Sequence, residues 1–361
     1  MRIEISSRNG KYHVEIGCGI LDRLGLAMNE HKIGKKVMVI TNQRVNQLYG
    51  EIVKQSLSEA DLEISLMEIP DGEQYKTIGT VQRLYDNLIN NKFDRNSSIL
   101  AFGGGVVGDI AGFVAATFMR GINLFHAPTT LLAQIDSAIG GKVAINHPLG
   151  KNLIGTFYQP KLVWSDLKTL KTLPHRQFIS GMAEVVKSAM IGDKFLFDYL
   201  DKNLNEIKNF DEGCLQEIVS RSCNIKARIV EIDEMDFGLR MLLNYGHTIG
   251  HALESLTEYK FYTHGEAISI GMMVEAKISH SLGHLSLDDL MRQEELLKSI
   301  GLPTHLIYKM PPEEIVEKLF LDKKARNGKI TFALPEKIGK AFICHDVPVK
   351  VITKALEELA N

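Results

Sequence analysis

The sequence predicts an α/β N-terminal domain with a mainly parallel sheet, followed by an all-α C-terminal domain. Short apolar runs alternate with stretches of helical spacing in the first half, and only helical spacing follows Pro174. The length of 361 residues is enough for about two domains that each bury a core. We therefore predict one domain at residues 1–173 and a second at 174–361, divided where a proline stops regular structure.

The N-terminal strands are predicted from their apolar patterns. Residues 2–5 and 12–16 alternate apolar and polar side chains, which predicts a hairpin around Asn9 and Gly10. Residues 80–90 have helical spacing. Nearly continuous apolar runs predict buried strands at residues 36–40, 62–69, 98–102 and 122–127. Such strands, joined by helices, indicate a parallel sheet covered on both faces.

The C-terminal domain is predicted from helical periodicity of its apolar residues. The predicted helices lie at residues 178–190, 211–232, 242–258, 265–282, 287–300 and 312–318. No apolar run approaches the ~18 residues of a membrane span, and the N-terminus does not have the pattern of a signal peptide. We therefore expect a cytoplasmic chain with no membrane partner.

Composition restricts the class of ligand. The chain has 42 basic and 44 acidic side chains, a net charge of -2 and no dense basic block. Binding to nucleic acid or to an anionic membrane requires a basic face, so we expect neither and predict a small-molecule ligand. The four cysteines have no C-x-x-C spacing, which indicates neither a disulfide framework nor a cysteine zinc site.

A glycine-rich turn follows the strand predicted at residues 98–102. It has the sequence GGGVVGD from Gly103 to Asp109, and Gly103, Gly105 and Gly108 match G-x-G-x-x-G. An apolar helix follows at 110–119, and a glycine turn at a helix N-terminus can bind a pyrophosphate. A tight strand-to-helix turn is the alternative. Asp109 would repel a phosphate there, so we expect it to bind a ligand hydroxyl or amide, or to cap the helix.

Charged residues with ligand character also lie upstream and downstream of this turn. In residues 71–76 (DGEQYK), Glu73 can accept ribose hydroxyls and Lys76 can neutralise phosphate, although a charged surface turn has the same composition. Lys142 and Lys151 lie in glycine-rich sequence where backbone and ammonium can both approach an anion. Exposure on the surface is the alternative for these lysines. That alternative also holds for Lys226, Arg240, Lys323 and Lys324.

Three residues on separate segments have the types that bind a catalytic metal. His247 and His251 are four residues apart, Glu184 lies upstream and His264 downstream. A catalytic zinc site takes three N or O ligands and keeps an open position, which Glu184, His247 and His264 can supply. His251 is either a fourth ligand or a proton shuttle. A chance pair of surface or core histidines is the alternative, since the chain has 12.

Together these segments resemble the 3-dehydroquinate synthase family of sugar-phosphate cyclases. The motifs occur in the family's order, at residues 71–76, 103–109, 128–137 (PTTLLAQIDS), 140–142 (GGK), 151–155 (KNLIG), 181–187 (GMAEVVK), 240–251 (RMLLNYGHTIGH) and 264–267 (HGEA). Two positions depart from the commonest pattern: Asn42 stands where many members have aspartate, and Asp236 replaces a frequent glutamate.

The resemblance implies a Rossmann-like N-terminal domain, bound NAD, one divalent metal (zinc, or else cobalt) and a homodimer. It implies that 3-deoxy-D-arabino-heptulosonate 7-phosphate is converted to 3-dehydroquinate and phosphate. The steps are transient oxidation by NAD, phosphate elimination, re-reduction and intramolecular aldol closure. A metal-dependent polyol or alcohol dehydrogenase, a sister cyclase and a non-catalytic nucleotide-binding regulator are the competing interpretations.

The resemblance also implies roles for individual residues. Glu184, His247 and His264 hold the metal, and His251 manages the proton of the C5 hydroxyl. The hydroxyl ligands are Asp136 and Lys187. The phosphate ligands are Lys142, Asn152, one of Lys323 or Lys324 (with Lys324 favoured), and Arg120 from the neighbouring subunit. The carboxylate ligands are Lys226, Arg240 and Asn244. If residues 240–247 are helical, Arg240, Asn244 and His247 lie close to one face.

The NAD site that the resemblance implies is built entirely from the N-terminal domain. Its residues are Asn42, Asp71, Glu73, Lys76, Gly103, Gly104, Gly105, Val106, Gly108, Asp109, Thr129, Thr130, Asp136, Ser137, Lys142, Lys151 and Thr172. The departure at Asn42 leaves this implication intact, because an amide side chain can still form a hydrogen bond with a ribose hydroxyl.

Overall fold

The computed structural model describes residues 1–8, 10–325 and 330–360, and for residues 322–325 and 360 it describes the backbone alone. The chain divides into two compact units, Met1–Leu173 and Pro174–Asn361. The first contains a mainly parallel sheet and the second is mainly helical, so the predicted fold class is confirmed. None of the described helices combines the length and apolar composition needed to cross a bilayer.

The first unit is built on a seven-stranded sheet. Its strands are β1 (Arg2–Ser7), β2 (Gly10–Gly17), β3 (Lys36–Thr41), β4 (Glu63–Glu68), β5 (Ser98–Gly103), β6 (Asn123–Pro128) and β9 (Leu162–Asp166), with β7 (Lys142–His147) and β8 (Gly150–Phe157) in a separate hairpin. The order is β1-β2-β9-β6-β5-β3-β4. β1 and β2 are antiparallel and the other pairs are parallel. Apolar patterns predicted the β1–β2 hairpin and the strands β3, β4, β5 and β6, whereas β7, β8 and β9 were not predicted. β4 was expected to be buried, but it lies at the edge of the sheet and is only half-buried.

Helices cover both faces of this sheet. They are α1 (Leu24–Asn29), α2 (Gln43–Glu59), α3 (Ile78–Asn90) and α4 (Gly105–Thr117). Successive side chains of a strand point to opposite faces. Met38 and Ile40 of β3 accordingly pack in a cluster with residues of α3 and α4, while Val37 and Val39 pack in another with residues of α1 and α2. Both faces of β3 are thus buried, which explains its continuous apolar sequence.

The second unit packs helices around a central one. Its elements are α5 (His175–Gly192), α6 (Lys194–Lys202), α7 (Leu204–Lys208), α8 (Glu212–Ile232), α9 (His247–Leu256), α10 (His264–Ser281), α11 (Leu287–Ile300), α12 (Pro312–Ala325) and α13 (Val349–Ala360), with the hairpin β10 (Thr331–Lys337) and β11 (Lys340–His345). α10 is buried and contacts α5, α9, α11, α13 and β10. The unit is therefore helical with one added hairpin, which the sequence did not predict.

The helix predicted at residues 242–258 is shorter in the structure. Leu239–Asn244 is a 3-10 helix, and α9 begins only at His247. Between them Gly246 has a φ of 80°, in the left-handed region that an α-helix cannot accommodate. Residues 240–247 therefore do not form one continuous helix. The expectation that Arg240, Asn244 and His247 lie on one face of such a helix is wrong.

Candidate active site

The glycine-rich turn connects β5 to the N-terminus of α4. Gly104 is the N-cap residue and has no side chain with which to cap the helix. The expectation that Asp109 caps it stays a prediction. A Cβ on Gly104 would lie 3.1 Å from Thr130 Cγ2, and one on Gly105 would lie 3.1 Å from Ser137 Oγ. The structure thus brings Thr130 and Ser137 to this turn. The first N–H groups of a helix have no partner within it, so this end is suited to an anion.

Lys76 joins three segments around α4. It is 3% exposed, and its Nζ forms an ion pair with the Asp109 carboxylate and a hydrogen bond with Asn152 Oδ1. Nearby, Asn146 Nδ2 donates to Glu73 Oε1 at 2.8 Å. Residues 71–76 are therefore connected to α4 and to the β7–β8 hairpin. The Lys76 ammonium also balances the Asp109 charge that would otherwise repel a phosphate.

Asn42 and Asp71 meet beyond the carboxyl end of β3. Asn42 Oδ1 accepts from the Val45 N–H at 2.9 Å and so caps α2, while its Nδ2 donates to Asp71 Oδ1 at 3.3 Å. An aspartate at position 42 could still accept the hydrogen bond from Val45, but it could not donate one to Asp71. Thr172 ends the 3-10 helix Leu167–Thr172 and contacts α2 further along, where its Oγ1 is 2.7 Å from the hydroxyl of Tyr49.

The remaining sequence-predicted residues of the first unit lie on short or exposed elements. Asp136 and Ser137 end a π-helical turn, Ala133–Ser137. Lys142 begins β7 and is exposed, and Lys151 and Asn152 lie on β8. Arg120 is exposed on the 3-10 helix Phe118–Arg120. Thr129 is buried, and its N–H donates to the Gly103 carbonyl at 3.0 Å.

The second unit brings together the three predicted metal ligands. Glu184 lies on α5, and His247 and His264 are the first residues of α9 and α10. Nε2 of each histidine is 3.2 Å from Glu184 Oε1, and the three ligand atoms lie within 4.8 Å of one another. Glu184 is 1% exposed, and its Oε2 forms an ion pair with Lys187. This is the donor set of a catalytic zinc site with a position left open.

The other nitrogen of each histidine faces an acceptor. His247 Nδ1 is 3.1 Å from the Tyr245 carbonyl oxygen, and His264 Nδ1 is 3.6 Å from Glu254 Oε1. A metal-binding histidine usually donates its second N–H to a carbonyl or carboxylate, which fixes the ring and its tautomer. The residues present therefore fit a divalent metal bound through both Nε2 atoms.

The electrostatics of this cluster differ between the two histidines. Burial raises the pKa of Glu184, but the Lys187 and His247 charges and two histidine hydrogen bonds lower it well below its usual range. Burial lowers the pKa of His264, yet hydrogen bonds and charges from Glu184 and Glu254 raise it to about 10. Burial, followed by the Lys187 charge, lowers the pKa of His247. A positive charge is thus stabilised on His264, between Glu184 and Glu254, and disfavoured on His247.

Glycines allow the helices of this cluster to approach closely. A Cβ on Gly265 would lie 2.0 Å from the Ser180 carbonyl oxygen of α5, and one on Gly271 would lie 1.9 Å from the Gly246 carbonyl oxygen. Real Cβ atoms do not come this close to backbone, so α10 can contact α5 and the start of α9 only with glycine at both positions. Sequence reasoning missed Gly271 and the carboxylates of Glu254 and Glu275, which a regular helical pattern does not distinguish.

Of the other predicted residues of this unit, His251 lies beside the cluster. The His251 ring is 5.3 Å from the His247 ring, and His251, Glu254 and His264 form a second group with ligand atoms within 4.8 Å. Lys226 is buried on α8 and Asn244 is half-buried. Arg240 is 2% exposed, and its Nη1 donates to the Glu234 carbonyl at 2.6 Å. The side chains of Lys323 and Lys324 lie outside the described residues.

Comparisons with known proteins agree on one family across both units. Models of the 3-dehydroquinate synthase N-terminal and C-terminal regions match residues 66–180 and 181–325. A 3-dehydroquinate synthase of Pelotomaculum thermopropionicum is 50% identical over 94% of this chain and 92% of that protein. Another from Thermodesulfovibrio yellowstonii is 46% identical over 99% of both.

Solved structures resemble the chain over nearly its whole length. The 2-epi-5-epi-valiolone synthase of Streptomyces hygroscopicus, solved with NAD+ and Zn2+, is 29% identical with a TM-score of 0.89, covering 97% of this chain and 96% of that one. A 2-deoxy-scyllo-inosose synthase with carbaglucose-6-phosphate, NAD+ and Co2+ is 28% identical with a TM-score of 0.88, covering 99% and 100%. An iron containing alcohol dehydrogenase, 16% identical with a TM-score of 0.69 and covering 100% and 98%, shares the fold alone.

Proposed function

We infer the reaction of this chain from its family. The chain belongs to the 3-dehydroquinate synthase family. It converts 3-deoxy-D-arabino-heptulosonate 7-phosphate into 3-dehydroquinate and phosphate, a carbon–oxygen lyase reaction of the shikimate pathway and of aromatic amino acid biosynthesis. The structural observation that supports this most strongly is the cluster of buried Glu184 with half-buried His247 and His264, whose ligand atoms lie within 4.8 Å of one another.

Glu184, His247 and His264 would hold one divalent cation, zinc or cobalt. When bound, the cation supplies a Lewis acid that lowers the pKa of substrate hydroxyls and polarises a ketone. Lys187 contributes by its charge, which favours ionised Glu184. Tyr245 and Glu254 contribute acceptors that leave the Nε2 atom of each histidine directed at the cation.

The N-terminal unit would hold NAD, with its pyrophosphate at the glycine turn that begins at Gly103. When bound, NAD supplies a hydride acceptor for C5 of the substrate and returns the hydride within the same turnover, so the overall reaction is redox-neutral. Asn42, Asp71 and Glu73 offer oxygen and nitrogen atoms to ribose hydroxyls, and Lys76 offsets the charge of Asp109 beside the phosphates.

The remaining family-matched residues bind the substrate's polar groups. His251 takes and returns the proton of the C5 hydroxyl oxygen. Asp136 and Lys187 orient hydroxyls. Phosphate is bound by Lys142, Asn152 and Lys324, and the carboxylate by Lys226, Arg240 and Asn244. Oxidation at C5 acidifies the adjacent C–H, phosphate leaves, and after re-reduction the ring opens so that an intramolecular aldol addition closes the carbocycle.

We further propose that the chain acts in the cytoplasm as a homodimer. Cys18, Cys214, Cys223 and Cys344 are all present as thiols, which suits a reducing compartment. Arg120 is exposed, as a residue that binds phosphate in the neighbouring subunit must be. Mixing the inactive variants Arg120→Ala and Lys142→Ala should restore some activity in heterodimers. Absence of rescue after verified subunit exchange would refute a shared site.

An assay for product identity tests the proposed reaction. The purified chain, supplied with NAD and zinc, should form 3-dehydroquinate and phosphate from the heptulosonate phosphate and leave glucose 6-phosphate, which has no carboxylate, unchanged. A carbocyclic product from glucose 6-phosphate, with none from the heptulosonate phosphate, would instead assign the chain to the sister cyclases.

A further inference from the structure

A buried carboxylate on the central helix contacts the segment that carries His247. Glu275 lies on α10, is 0% exposed, and accepts from the Gly246 N–H at 2.7 Å through Oε2. Gly246 is the N-cap residue of α9, so its N–H has no acceptor within that helix. Glu275 therefore holds the start of α9 from another helix.

The capped segment determines which nitrogen of His247 faces Glu184. Gly246 is held in the left-handed region, with a φ of 80°, and its preceding residue Tyr245 accepts from His247 Nδ1 at 3.1 Å. That hydrogen bond leaves Nε2 directed at Glu184 Oε1. Tyr245 is itself fixed by a hydrogen bond of 2.7 Å between its hydroxyl and Gln293 Oε1 on α11. The orientation of the His247 ring thus depends on a turn that Glu275 holds through Gly246.

We propose that Glu275 is a positioning residue for the metal ligand His247, acting through the Tyr245–Gly246 turn; this inference rests on the metal site of the proposed function. Without an acceptor at position 275, the buried N–H of Gly246 loses its hydrogen-bond partner. A buried N–H that loses its acceptor is costly, so the turn rearranges to find another one. The His247 ring then loses the geometry that a metal requires, and metal affinity falls.

Two substitutions separate this role from simple packing. Glu275→Met retains the volume and the helical preference but accepts no hydrogen bond, whereas Glu275→Gln retains one carbonyl oxygen as an acceptor. Ser279→Ala is the matched control, because Ser279 lies one turn further along α10, is buried, and donates to the Pro335 carbonyl at 2.5 Å, away from α9. Each variant is compared with the unaltered chain for zinc affinity by chelator competition, for thermal stability, and for the visible spectrum of bound Co2+.

The proposal predicts a specific pattern. Glu275→Met should fold, bind zinc about 10- to 100-fold more weakly and change the Co2+ spectrum, because loss of a group that orients a metal ligand has an effect of this size. Glu275→Gln should remain within about threefold of the unaltered chain, and Ser279→Ala should change stability alone. Unaltered zinc affinity in Glu275→Met, or equal losses in the Met and Gln variants, would overturn the proposal. Failure of the unaltered chain itself to bind zinc would refute the metal site first, and the role of Glu275 with it.

Discussion

Glu254 Oε1 lies 3.6 Å from His264 Nδ1, on the opposite side of the ring from Glu184. The imidazole of His264 is therefore placed between two buried carboxylates, one facing each nitrogen. In a metal-bound chain, Glu184 would be a ligand and Glu254 would receive the remaining N–H, so we expect the two carboxylates to have different roles although both raise the pKa of His264.

Replacement of Glu254 should weaken metal binding with little loss of fold. Glu254→Gln keeps the size of the side chain but removes the charge that makes His264 a stronger ligand, and we expect zinc affinity to fall about tenfold. Glu258→Gln is a suitable control, because Glu258 is exposed and pairs with Lys260 alone among the contacts described for its carboxylate. Chelator competition measures both. Equal affinities in the two variants would refute this role.

The close approach of α10 to α5 should make Gly265 intolerant of any side chain. In Gly265→Ala the new Cβ would lie 2.0 Å from the Ser180 carbonyl oxygen, so one helix must move. Overpacking of this kind costs typically 1–3 kcal/mol, about the range we expect for the loss in unfolding free energy, and the displacement of His264 should also weaken zinc binding.

A second glycine substitution controls for the first. Gly79 is exposed in α3, and its nearest neighbour for a new Cβ is Thr77 Oγ1 at 3.8 Å. Gly79→Ala should therefore raise the unfolding free energy by up to about 1 kcal/mol, as alanine favours a helix over glycine. Denaturant unfolding of both variants measures the difference. Equal effects would mean that the contact with Ser180 does not constrain α10.

His126 should make the stability of the chain depend on pH below neutrality. It is buried on β6 and packs against Gly108 of α4. Burial lowers its pKa from 6.5 to about 4. Between these values the unfolded chain binds the proton and the folded chain does not, so stability falls as the pH decreases through this window. The shift corresponds to about 3 kcal/mol at pH 4.

The histidine responsible can be identified by substitution. The unaltered chain should lose about 3 kcal/mol more unfolding free energy between pH 7 and pH 4 than His126→Leu, which has no proton to bind. His175→Leu, at an exposed histidine of α5, should retain the dependence of the unaltered chain. If His126→Leu shows the same pH dependence as the unaltered chain, the buried imidazole is not its source.

We expect Arg240 to distinguish a substrate with a carboxylate from one without. A guanidinium binds a carboxylate through two parallel hydrogen bonds, which lysine cannot reproduce. Arg240→Lys and Arg240→Gln should therefore lower kcat/KM for the heptulosonate phosphate by about ten- to a hundredfold. Arg240 also donates to the Glu234 carbonyl, so melting temperature and metal content are measured in parallel. Near wild-type kinetics in a stable variant would reject the carboxylate role.

Local patterns predict the sheet and the ligand types, but not the contacts between elements. Apolar runs suffice for β3 and β5 because both faces of these strands are buried, and the spacing of His247 and His251 suits the helix that is observed. The start of that helix directly after Gly246 could not be predicted, because residues 242–246 have an equally helical pattern. What interrupts them is the backbone of α10, against which Gly246 packs at a left-handed φ.

The carboxylates around the metal ligands show the same limit. Glu254 and Glu275 have the appearance of ordinary helical residues, and their burial follows only from the packing of α5, α9 and α10. Lys76 is similar: its sequence context indicates a surface turn or a phosphate ligand, whereas the structure buries it between Asp109 and Asn152. Partners of buried charges are determined by tertiary structure, so a single sequence does not identify them.

We expect NAD to be used and regenerated within each turnover, and simultaneous measurement of phosphate and NADH is the decisive test. With the heptulosonate phosphate, limiting NAD and zinc, many phosphates should be released per NAD while nicotinamide absorbance shows no accumulation of NADH. Chelation of the metal, or His247→Ala, should abolish the release of phosphate. If NADH accumulates in step with substrate loss and no phosphate is released, NAD is not regenerated and the chain is a dehydrogenase.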